Sequence, residues 1–441
     1  MDIFDLLLAP FYLAIVLFLA YKYKVKHEHE NVAYKYFLPG LIAKIVGAIC
    51  LGLVYFYYYG GGDTVNYYYT ANAFVDVFFN SPSDFIHLYF GSPSISEYYL
   101  LKSDNYFVYW INDPYAFFVS KCFFPIALIG SKSYIAMAII VASICFMSVW
   151  KMYLVFIHEF PVLSKEFAYS ILFVPSVIFW GSGLMKDSIT FSAVCMYVYG
   201  FYWFSIRKNY KLRFILYLIV GSLLLLAIKP YIVFALLPGS VVWYVSLKVV
   251  NIKNQLVKAL IAPLIIAISS FLTFTIMNNL GDSLGKYSIE KVFDTAHGAQ
   301  QDLKQSYYKG NSFDIGDYDP SLPGLISVSH KAIFATLFRP TLLDVRNVIM
   351  FFSAIENTIL LIFCIYLLVK LRIYRFFIVL RSHPLAMFSF IFAIFFALSV
   401  GVSISNFGTL VRLKIPCIPF FVSSLIIVDH LMKNKLVLRN Q

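Results

Sequence analysis

The sequence predicts an all-α polytopic membrane protein of about eleven transmembrane helices, with interfacial helices in two long outer loops. Three observations predict it. Hydrophobic residues make up 61% of the 441 positions. Charged residues reach only 13%, about half the usual soluble share. Apolar runs of roughly 20 residues, each long enough to cross a bilayer, recur along the chain. No water-soluble fold hides that much apolar surface, so a soluble globular enzyme is excluded. Lipid must solvate the exterior, and closed helices satisfy the backbone there.

The first run, Leu6 to Ala20, follows Asp2 and Asp5 and carries no cleavage-site pattern. It reads as a spanning helix rather than a signal peptide. The expected spans are 4–21, 38–59, 133–157, 167–184, 188–206, 212–228, 231–250, 256–278, 347–370, 384–403 and 411–432. The stretch 115–130 is short and carries Lys121 and Pro125. Charge parity decides it, because Lys and Arg collect in cytoplasmic linkers. The net charge is +12. Lys22, Lys24, Lys26 and Lys35 mark one inner linker, Arg207 to Arg213 a second, and Lys253 with Lys258 a third. Lys370, Arg372, Arg375 and Arg381 mark a fourth, and the tail carries Lys433, Lys435 and Arg439. All fall inside only if 115–130 lies flat in the interface. The N-terminus is then outside and the C-terminus inside. A cysteine at position 209 should be labelled only from the cytoplasm, and one at 310 only from outside. Labelling of both from one side refutes this topology.

Two long outer loops result, 60–132 and 279–346, within a single integral membrane domain that shows no internal repeat. The six cysteines lie in or beside apolar runs and form no C-x-x-C pair. The histidines make no H-E-x-x-H or paired set, and no Walker loop or G-x-G-x-x-G motif follows a strand. A nucleotide-sugar donor is disfavoured. No basic patch on a soluble face suggests nucleic acid.

Ionisable groups at membrane depth are functional candidates by default. Asp63 follows Gly60-Gly61-Gly62, which lets the chain turn sharply at a helix exit. It is either a site carboxylate or the cap of the next helix. Lys186 and Asp187 occupy a tight connection after Pro175. They read as a phosphate-binding lysine beside a site carboxylate, or as a snorkelling lysine beside a cap. Lys229, Arg339, Arg346, Arg412 and Lys414 add bases on the same outer side. There they suit a lipid phosphate or diphosphate, or plain headgroup anchoring. At least two of Lys186, Lys229, Arg339 and Arg412 are expected to converge on one phosphate. Glu356 and Asn357, inside a span, pair with a base or mark a polar helix contact.

The arrangement resembles the GT-C superfamily of membrane glycosyltransferases, which use polyprenyl-phosphate or polyprenyl-diphosphate sugars. Gly62-Asp63-Thr64 with Tyr67 and Ala71 is similar to the start of that superfamily's first outer loop. Phe124 to Tyr134 looks like its interfacial helix leading into the next span. Pro175 to Asp187 matches a Pro-containing span that ends in an outer Asp, and Asn406 to Arg412 fits the outer rim. The resemblance implies a polyprenyl-linked donor and a glycan, lipid or protein acceptor. In that chemistry Asp63 is the expected catalytic base for the acceptor hydroxyl and Asp187 an acceptor-side or ion-binding carboxylate, with Lys186, Lys229, Arg339, Arg346 and Arg412 as the expected phosphate-binding groups. The resemblance also implies a bacterial plasma membrane with the site facing outward. Two departures stand out. A span precedes the usual first helix, and the first outer loop lacks a D-x-D pair, which leaves dependence on a divalent metal open. O-antigen-type polysaccharide polymerases share the polytopic form and outer arginines. A lipid-linked glycan flippase or transporter is the alternative from a different class.

Overall fold

The structure is a computed structural model. It describes residues 3–29, 31–91, 93–101, 108–249, 287–305 and 312–439, with scattered positions between 264 and 285. Among the described residues the regular structure is helical, apart from an isolated bridge between Ser312 and Asn406. Among the described residues, seven helices are long and apolar enough to cross a membrane, or eight if one bent pair is a single span. The chain is an integral membrane protein on that composition.

The expected eleven spans meet four exceptions. The run 256–278 lies largely outside the described residues. The run 212–228 forms a helix of 17 residues, too short for the test that the seven pass. The run 167–184 is not one helix: it ends at Leu172, restarts over Pro175–Trp180 and breaks again before Lys186. Pro175 is the cause, since it lacks an N–H and forbids helical geometry at Val174. The run 411–432 is bent by 65° between Phe407–Leu413 and Ile418–Asn434. Pro416 lies in that break and removes a donor from the helical ladder.

The chain divides into two compact units interleaved in sequence. The first comprises 1–157, 177–197 and 220–229. It contains α1 (Ile3–His27), α2 (Phe37–Leu53, continued by a π turn to Tyr58), α3 (Asp63–Asn80), α4 (Pro82–Phe90), α5 (Pro114–Ile129) and α6 (Tyr134–Glu159). Asp113 accepts from the Tyr115 and Ala116 amides and so caps α5, with Pro114 in the first helical position. At 16 residues, α5 is about 24 Å long, below the ~30 Å of a bilayer core. Phe74 of α3, Phe85 of α4 and Phe124 of α5 form one aromatic cluster. On α2, Gly52 lies so close to the Tyr134 ring that a Cβ would collide with it.

The second unit comprises 158–176, 198–219 and 230–441. The segment Ser164–Leu172 forms α7, a helical turn that ends in a π turn; α8 spans Pro175–Trp180, beginning in this unit and lying from residue 177 onward in the first. Like α6, whose last two residues belong to the second unit, and α8, two further helices run from one unit into the other: α9 (Lys186–Phe201, continued by a π turn to Ile206) and α10 (Leu212–Ile228). Then follow α11 (Pro230–Val249), α12 (Ile289–Asp302), α13 (Leu322–Phe338), α14 (Val348–Leu380), α15 (Pro384–Ser403), α16 (Phe407–Leu413) and α17 (Ile418–Arg439). Buried α15 lies among α11, α13 and α17. Trp243 of α11 stacks on its Phe388 at 4.6 Å, and its Gly401 backs directly onto the Ala332 carbonyl of α13.

Candidate functional site

In the first unit, the chain leaves α2 through Gly60, Gly61 and Gly62, with φ of 69°, 143° and 119°. Those angles demand glycine, as expected. The cap position of α3 falls on Gly62, and Asp63 is the first helical residue. Its expected alternative, a capping role, is therefore not the one it occupies. The side chain is half-buried. An anion in the first turn is favoured by the helix dipole.

One face of α3 is fastened to the connection between α5 and α6. Thr64 Oγ1 bonds the Tyr134 hydroxyl at 2.8 Å, Tyr68 donates to the Lys132 carbonyl at 2.8 Å, and Asp76 pairs with the Lys132 ammonium. Tyr67, one turn after Asp63, is buried and stacks on Trp110 at 5.2 Å. The Lys186 ammonium lies 5.7 Å from the Trp110 ring. An aromatic pair thus joins the helix that begins at Asp63 to the residue that begins α9.

Asp187 and Lys229 are both buried and form an ion pair with Nζ 2.5 Å from Oδ1. Lys229 follows α10 directly, and its N–H bonds the Leu225 carbonyl. Lys229 was expected to bind phosphate, but its charge is engaged by Asp187. Desolvating two such groups is tolerable only because they compensate each other. Of the four bases of the expected clamp, Lys186 and Lys229 lie in this unit; Arg339 and Arg412 lie in the other.

In the second unit, Arg339 closes α13 and forks onto Asp344, with Nη2 to Oδ1 at 2.5 Å and Nε to Oδ2 at 3.2 Å. Its guanidinium lies 5.3 Å and 4.9 Å from the Phe313 and Phe407 rings, which stack on each other. Asp344 also accepts from the Thr341 amide and hydroxyl. Burial raises its pKa, but Arg339 and Thr341 outweigh that and hold the carboxyl below its ordinary value. Lys414 donates to Asn357 Oδ1 at 2.6 Å and to the Arg339 carbonyl at 3.1 Å, while Asn357 donates to the Pro340 carbonyl at 2.9 Å. Arg339 and Lys414 thus secure the loop between α13 and α14. Glu356 accepts from the Ser176 amide and hydroxyl, a polar helix contact, and it also interacts electrostatically with Lys414, so both of its expected roles are visible. Arg412 is half-buried on α16, and Arg346 is exposed.

Sequence reasoning missed Lys44. It is buried within α2 and donates to the Gly181 and Val177 carbonyls at 2.6 Å and 3.3 Å. Its signal was present: a lone charge inside an apolar span. The Tyr67–Trp110 stack was also missed, since rings 43 positions apart share no local pattern. Among the described residues, no group of three or more His, Cys, Asp or Glu gathers as a metal site. Comparison with protein-family models, curated proteins and solved structures found no match to this chain.

Proposed function

We propose that this protein is a membrane glycosyltransferase. It moves a sugar from a polyprenyl-phosphate or polyprenyl-diphosphate donor to a glycan, lipid or protein acceptor at the outer face of a bacterial plasma membrane. The observation that carries the reading is the path from the first turn of α3, where Asp63 stands, through Tyr67 and Trp110 to Lys186. It links a half-buried carboxylate beside a span exit to an ammonium at a helix start. A lipid-borne phosphate stays in the membrane and reaches an enzyme there.

In this reading Asp63 takes the proton of the acceptor hydroxyl. The hydroxyl oxygen attacks the sugar C1 and inverts it. The bond from C1 to the phosphate oxygen breaks, and that oxygen leaves with the electron pair. Lys186 and the start of α9 stabilise the charge that develops there. Asp187 and Lys229 hold the start of α9 as a neutral pair. Arg346 and Arg412 are candidates for anionic headgroups, whereas Arg339 holds its own loop.

Purified protein in lipid nanodiscs, given a polyprenyl-phosphate sugar and an acceptor, should release polyprenyl phosphate in step with sugar transfer. Repeated addition to one chain marks an exopolysaccharide polymerase of the O-antigen type. One observation favours the transport alternative: two apolar runs are broken, each with a buried lysine at or beside the break, Lys44 and Lys414. Broken helices of this kind line transporter sites. Movement of the intact lipid-linked sugar between leaflets, with no phosphate released, would replace the enzyme reading with that one.

A further inference from the structure

The break between α8 and α9 packs against one face of α2. Gly47 lies directly on the Ile178 carbonyl, where any Cβ would collide, and Gly183 lies on the Leu51 side chain. Lys44, Gly47 and Leu51 recur at helical spacing, so one stripe of α2 carries all three contacts. Close approach at Gly47 brings the Lys44 ammonium to the carbonyl end of α8. There it meets the Gly181 and Val177 oxygens, with the Phe191 ring of α9 5.3 Å away. Ser182 covers a further carbonyl, that of Ile178.

The last carbonyls of a helix carry negative partial charge and lack their full set of helical partners; here the Val177 oxygen also accepts from the Gly181 amide at 3.1 Å, and the Gly181 oxygen lies just past the end of α8. At membrane depth water cannot satisfy them. Carbonyls at a helix break beside an aromatic face suit a small cation. We infer that Lys44 is the built-in cation of this break. Its tethered ammonium fills a small-cation site at the end of α8 and thereby fixes where Lys186 and Asp187 begin α9. Lys44 is a positioning residue: it holds the start of α9 against the helix that leads to Asp63. Its catalytic consequence rests on the glycosyltransferase reading. The cation site itself does not.

Lys44→Ala in the full-length protein tests this, because it removes the atoms that n-propylammonium can replace. In nanodiscs the variant should unfold about 5 °C below wild type. Amides 181–188 should exchange hydrogen about tenfold faster. Millimolar n-propylammonium should reverse both effects saturably in the variant and leave wild type unchanged. Tetramethylammonium, which has no N–H to donate, should not. Lys44→Gln keeps a donor without the charge and should recover less than half of the loss, which also provides a milder variant if Lys44→Ala does not fold. A Gln variant equal to wild type, or n-propylammonium acting equally on both proteins, overturns the inference. Failure of wild type to transfer sugar would remove the enzyme reading and leave these readouts interpretable.

Discussion

Asp63→Asn should lower glycosyl transfer by about a hundredfold or more, the scale of a lost general base, while the protein folds and binds its donor. Asn is nearly isosteric but cannot take a proton at neutral pH. The geometry makes this a clean substitution. Gly62, not Asp63, holds the cap position of α3, so the substitution leaves the cap residue in place. The interaction of the anion with the helix start is worth about 0.3–1 kcal/mol, and the near-isosteric Asn keeps a polar group at the same position. Packing of α3 rests on other residues, including Thr64, Tyr67, Tyr68 and Asp76. The measurement is the single-turnover transfer rate beside donor affinity. Turnover near the wild-type rate would exclude Asp63 as the base.

Lys229→Met should act on stability rather than on donor affinity. Removing the ammonium leaves the Asp187 carboxylate buried without its charge partner, at a cost of about 3–5 kcal/mol. A phosphate-binding lysine would behave differently. Its loss would weaken donor binding by roughly tenfold to a hundredfold and spare the fold. The double variant Lys229→Met with Asp187→Leu should recover most of the lost stability, since apolar groups of similar volume replace a buried pair at little cost. Denaturant unfolding in nanodiscs, run beside a donor titration, separates the outcomes. If the single variant is as stable as wild type yet binds donor poorly, the phosphate role returns.

Particular residues show how far local reading carries. The Gly60–Gly62 reversal was legible, because three successive glycines at a span exit have one main use. The seven clear spans were legible too, because bilayer thickness fixes their length whatever they touch. The break at 167–184 was not, although Pro175 was in view, because a count of apolar residues is blind to where the backbone ladder fails. Asp344 stands five residues after Arg339 and was within reach of a local reading. The Phe313 and Phe407 rings against which Arg339 lies were not.

Composition and spacing by themselves determined that this is a helical membrane protein, and they picked out most of its ionisable residues at membrane depth, though not Lys44. Tertiary structure alone decided what those residues touch. Lys44 finds its carbonyl partners 133 and 137 positions away. Lys229 meets Asp187 across 42 positions, and that distance turned an expected phosphate ligand into half of a buried pair. The physical reason is that a span must satisfy the bilayer along its own length, so its signal is local. A buried charge must be satisfied by whatever the fold brings beside it, and that partner is written elsewhere in the chain.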